Sequence, residues 1–176
     1  MSQDAILALT LLVAVLGLTP GPLALMVFSY GSQVGVRRSL PFVAGGALGY
    51  AFVVTLSCLT LAGAIQNLPI LLVPAKILAA LILVWFSWKI APSGMLTPRR
   101  PVSRGAMFLE SCPQQSVTPK AWAAGLALAT SAVGGIDPLR GARIVGAVVF
   151  TVIFAALLVW AASGQGLSRF LACDML

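Results

Sequence analysis

The sequence predicts an all-α fold, a polytopic integral membrane helix bundle of about five transmembrane helices. Three observations predict it. Only 9% of the 176 residues are charged and 60% are hydrophobic, whereas a soluble domain carries about 25% charged residues. The hydrophobic residues lie in blocks rather than at amphipathic spacing, and 6–28, 40–75, 77–88 and 145–162 contain no charge. The basic residues gather between those blocks, as they do in cytoplasmic loops. Crossing the ~30 Å of bilayer hydrocarbon takes roughly 20 apolar residues, which the blocks supply.

The first span is Ile6–Phe28. Its leader "MSQD" has no basic residue and its apolar run is too long for a signal h-region, so no cleaved signal peptide is expected. The second span is Leu40–Gly63. A tight "QNLP" connection makes it an antiparallel neighbour of the third, Leu68–Trp88. "APSGMLTPRRPVSRG", Ala91 to Gly105, has the Pro, Ser, Gly and Arg content of a linker. It separates a first three-helix half, residues 1–90, from a shorter second half, residues 106–176. The second half holds a span at Val117–Val133 and another at Val145–Ala162. The remaining "GQGLSRFLACDML" is too short to span.

With loops alternating sides, Arg37, Arg38, Lys89, Arg99, Arg100, Arg104 and Arg169 fall on one side and Arg140 and Arg143 on the other. Seven against two places the Arg37 loop and the long linker in the cytoplasm and the N-terminus outside.

Two spans are interrupted. "LTPGPLALM" puts Pro20, Gly21 and Pro22 inside the first, although an interior proline costs a helix ~3 kcal/mol or more. "VTPKAWAAG" puts Thr118 and Pro119 at the start of the fourth. Each half thus has one Thr-Pro pair, Thr19-Pro20 and Thr118-Pro119, on helices expected to run in opposite directions. Discontinuous helices at corresponding positions of inverted halves mark a transporter's binding site, because open backbone at membrane depth survives only beside protein or a water-filled cavity. The half-helix beginning after such a break offers free N–H groups and a positive dipole end to a carboxylate. The alternative reading is a plain kink, since Pro and Gly are frequent in membrane helices.

Lys76 lies about nine residues into the third span, where an unpaired cation costs about 3 kcal/mol and marks a functional site. Lys120 is an interfacial anchor if its span starts at Val117, and deep if the helix starts near Gly105. Glu110 is a partner or proton carrier, or an interfacial group. Gly45 and Gly49, and likewise Gly17 and Gly21, are four apart, a spacing that lets helix backbones approach. Gly17, Gly45 and Gly49 are therefore read as packing residues around the site. Cys58, Cys112 and Cys173 form no metal-ligand or disulfide pattern.

Several classes lose ground on these residues. With no His, no paired acids, no HExxH and no GxSxG, an enzyme lacks parts. A lone Ser–Lys arrangement is left, and nothing places a serine beside Lys76. The net charge of +7 is loop charge rather than a nucleic-acid footprint. A structural membrane subunit would show small-residue faces without a deep lysine.

The ordered set "TPGP", "GVRRSLPFVAGGALG", "LVPAKILAALIL" and "VTPKAW" resembles the LysE/RhtB family of amino-acid exporters over about Leu11 to Ser131. Thr19, Pro20, Gly21 and Pro22 match its TPGPN motif, and Gly35, Arg37, Leu40, Gly45 and Gly49 its loop and G-x-x-x-G. Lys76 falls on its LK lysine, and Pro119, Lys120, Ala121 and Trp122 on PKAW. Leu23 and Thr118 stand where the family has Asn, so substrate identity is not inherited. The resemblance implies an inverted repeat of three-helix units and efflux of amino acids or similar small zwitterions across a bacterial inner membrane. It implies proton motive force as the drive, no cofactor or metal, lipid as the surroundings, and room for a homodimer. The family usually has six hydrophobic segments, so a truncated, transport-inactive member is the alternative.

Overall fold

The computed structural model describes residues 3–67, 81, 103–132 and 138–173. The third span, with Lys76, lies outside the described residues apart from Leu81, as does most of the linker.

Helix α1, Gln3–Leu18, ends where Pro20 withdraws a backbone donor and restricts the residue before it. Helix α2, Pro22–Val34, starts with proline at its first position, where the missing N–H costs nothing. The two are bent by 63°, so the first span is a hinged pair of helices. It also continues beyond Phe28 to Val34. Gly35 closes α2 with φ 79 and ψ 164, a conformation open only to glycine. The chain turns there into α3, Val36–Asn67. Its first amide, from Val36, donates to Gln165 Oε1 at 3.0 Å.

The segment expected as a fourth span, Val117–Val133, is built differently. Helix α4, Arg104–Gln114, begins inside the expected linker with Ser103 as its cap. A 3-10 turn, Gln115–Val117, and the extended Thr118 then interrupt the path, and α5, Pro119–Ala132, resumes it. The start of α4 is the helix start near Gly105 weighed above, and of the polar residues along this path Ser111 and, in the turn, Gln115 are buried. The fifth span is also longer. Helix α6 runs from Pro138 to Cys173, because no proline follows Pro138 to stop it where the apolar block ends.

Among the described residues every regular element is helical. Val36–Thr60 and Leu139–Leu171 are each long and apolar enough to cross a membrane, and the bent α1–α2 pair makes a third if counted as one span. Helix α3 is the hub, packed against α6, α4 and α5, while α1 and α2 lie along α6. Leu7, Leu11, Val15 and Leu18 form an exposed stripe on α1, a surface suited to lipid.

Lipid tails are as apolar as leucine, so helices in a bilayer are held by close packing rather than by release of water. Glycine supplies that closeness on α3. A side chain at Gly45 would meet the Phe108 carbonyl and the Ser111 hydroxyl of α4, and one at Gly49 would meet the Cys112 carbonyl. This register also fixes direction, since both partners advance together and α4 is parallel to α3. Helix α6 is antiparallel to α3, with Gly146 against Thr55 and Leu157 near Gly46. Gly17 lies against Ile153 and Ala156, and Gly31 against Ala161, so α1 and α2 run with α6. The path through α1–α2 therefore opposes the path through α4–α5. Arg37 and Arg38 share one end of the bundle with Arg169, one turn beyond Gln165. Arg140 is about 40 Å away along α6.

Gly49→Val should lower the melting temperature in detergent by the equivalent of about 1–3 kcal/mol, the usual cost of overpacking. Gly105→Ala, where nothing lies within 4 Å, should leave it unchanged or raise it.

Candidate functional site

The two interruptions meet. Thr19 ends α1 with its amide and its hydroxyl both donating to the Val15 carbonyl, at 3.0 Å and 2.6 Å. The Thr19 carbonyl then points across the bundle and accepts from Lys120 Nζ at 2.9 Å. Two residues earlier, the Gly17 carbonyl accepts from Trp160 Nε1 of α6 at 3.3 Å. Carbonyls that α1 cannot satisfy internally are thus met by side chains of α5 and α6, which is the condition for breaking a helix at membrane depth.

On the other side of the break, Gly21 precedes α2 with φ −157 and ψ 172 and no side-chain cap. Leu23 and Ala24, in the first turn of α2, line the same space. The path through α4 and α5 repeats the device. Thr118 is extended with φ −86 and ψ 112, and Pro119 opens α5. The Thr118 hydroxyl donates back to the Gln114 carbonyl at 2.9 Å, as Thr19 does to Val15. The local match is therefore Gly21-Pro22 with Thr118-Pro119 as helix starts, while the two threonines share their back-bonding role. Trp122 Nε1 holds the intervening 3-10 turn by donating to the Ser116 carbonyl at 2.8 Å.

Between the breaks lies a cavity of about 30 Å³, room for a water or two. Thr19, Gly21, Pro22, Thr118 and Lys120 line it together with Tyr50 and Gln115. Tyr50 is 4% exposed and Gln115 1%. The Tyr50 hydroxyl and Gln115 Nε2 have no hydrogen-bond partner, a costly state for buried polar atoms.

Lys120 is half-buried, on a path whose helix begins at Arg104, close to the Gly105 start weighed above. Glu110 does not line the cavity. It accepts from the Tyr30 hydroxyl at 3.5 Å and ties α4 to α2. Gly17 lines the cavity as well as packing on α6, whereas Gly45 and Gly49 sit in the α3–α4 seam. Cys58 is buried with its thiol 3.9 Å from the Gly125 carbonyl.

No family model, no curated protein and no solved structure matches the chain.

Sequence reasoning missed Tyr50 and Gln115. A glutamine beside a broken span is a signal that polar residues in membrane segments carry function. The single tyrosine in the second span gave none.

Gly21 is not required by its backbone, since any residue adopts its extended conformation. A side chain there would meet only Lys120 Nζ, at 3.9 Å, so glycine keeps space open. Gly21→Ala should therefore match or exceed the parent in thermal stability, by up to about 1 kcal/mol through the unfolded chain. Gly35→Ala should lose about 1–3 kcal/mol from its backbone conformation alone. Unfolding both variants in detergent checks the contrast.

Proposed function

We propose that the chain is a secondary transporter that exports amino acids or similar small zwitterions across a bacterial inner membrane, with substrate bound between the two broken spans. The observation that carries this reading is the Lys120–Thr19 contact. It brings the interruptions of two oppositely directed paths to one cavity, with a cation and a helix N-terminus facing it. The N-terminus of α2 and the Lys120 ammonium both attract a carboxylate, and discontinuous helices provide such sites in transporters. The motif resemblance to LysE/RhtB exporters points the same way, including its inverted repeat and proton motive force. The excess of basic residues at the Arg37 end puts that end in the cytoplasm.

A cavity of about 30 Å³ admits no amino acid. Passage therefore requires the breaks to part, with rupture of the Lys120–Thr19 bond. Lys120 serves as both latch and ligand. Opening transfers its ammonium from the backbone carbonyl to the substrate carboxylate, so the charge stays paired throughout.

In vesicles carrying the purified protein, flux of labelled leucine should fall at least tenfold in Lys120→Met, with the helical content and oligomeric profile of the parent. Flux equal to the parent would remove Lys120 from the mechanism. Absence of flux from the parent across a panel of amino acids would favour the transport-inactive alternative.

A further inference from the structure

The groups facing the cavity are chemically one-sided. Among the described residues that line it, Lys120 is the one charged side chain and no carboxylate is present. Gln115 Nε2 is a donor without an acceptor, and the Tyr50 hydroxyl is likewise unpartnered. An occupant of the space that brings an acceptor would satisfy both. Much of the remaining wall is aliphatic, with Leu23, Ile153 and Leu157 among its members, and Thr19 and Thr118 add hydroxyls that donate to the preceding turn.

We propose that Tyr50 and Gln115 are specificity residues which, with Lys120, select substrate by a carboxylate on a small aliphatic body, and that no ammonium is required. This rests on the reading of the cavity as the substrate site. It narrows that reading from zwitterions to monocarboxylates, with amino acids accepted as carboxylates that happen to carry an amine. The two carboxylate oxygens offer about four acceptor positions. The Gln115 amide, the Tyr50 hydroxyl and the Lys120 ammonium can fill three, leaving one for an amide at the start of α2. An ammonium in the same place would face Lys120 and the positive end of the α2 dipole, a like-charge arrangement. A trapped water is the competing occupant, since it also satisfies a donor and fits the volume.

Ligand-dependent thermal unfolding of the full chain in detergent separates these, using three probes that share one branched body. They are 4-methylpentanoate, leucine, and 3-methylbutylamine. The acid and leucine should each raise the melting temperature, and the amine should not. Tyr50→Phe and Gln115→Leu should each raise the half-saturating concentration of 4-methylpentanoate at least tenfold. Without ligand, Tyr50→Phe should be as stable as the parent or more so, because it removes a buried hydroxyl that has no partner. A purely structural Tyr50 would instead lose stability and keep its ligand response. The proposal is overturned if the amine alone stabilises, if no probe does, or if both variants respond to the acid as the parent does. Vesicle flux is read separately. Leucine flux without any response to the acid sinks this inference and leaves transport standing. A response to the acid without flux sinks transport and leaves the binding site.

Discussion

The bond from the Lys120 ammonium to the Thr19 carbonyl, 2.9 Å long, is the contact on which the centre of this molecule depends. A bilayer interior has no water to satisfy an opened helix. Pro20 and Pro22 stop the first helix, and its last carbonyls are left without intrahelical donors. Lys120 meets one and Trp160 another. The same lysine would be a half-buried cation without a partner if the carbonyl were absent. Break and lysine each remove the other's penalty. This explains why both can occur together in a chain where only 9% of residues are charged.

The surrounding bundle sets the geometry of that contact. Glycines in the α3–α4 and α2–α6 seams let the backbones approach until a side chain could not fit between them. Close seams hold α4 and α6 at fixed depth against α3. Their positions in turn bring the turn at Gln115–Thr118 level with the end of α1. The donation from Val36 to Gln165 Oε1 anchors the other end of the hinged pair. Rigid seams with an internal break are what a two-state device needs, since packed cores switch between arrangements rather than deform continuously.

Much of this was legible in the residues. Proline leaves an unmistakable mark, so the interruptions at Pro20–Pro22 and Pro119 could be located, as could the long apolar blocks of α3 and α6. Boundaries were less so. The apolar run ends at Phe28, but α2 continues through Ser29, Tyr30 and Ser32 because hydrogen bonding, not hydropathy, decides where a helix stops. Helix α4 was legible only as the alternative start near Gly105, for the same reason. The site was half visible. Thr19, Gly21, Pro22, Thr118 and Lys120 carried signals, and all five line one cavity. Tyr50 and Gln115 became visible only when burial and missing partners were known, because a lack of hydrogen bonds is a property of three dimensions. The expected role of Lys76 falls on residues outside those described.

The most direct test of the account is proximity across the two breaks. In a chain with Cys58, Cys112 and Cys173 changed to serine, Gly21→Cys combined with Lys120→Cys should be joined by a short bifunctional thiol reagent, and mass analysis should find the two peptides linked within one chain. Leu11→Cys combined with Lys120→Cys should not be joined, since Leu11 lies about 12 Å further along α1 than Thr19. The account predicts efficient linkage for the first pair alone. Two thiols that each react singly with the reagent, yet never join in the first pair, would contradict it.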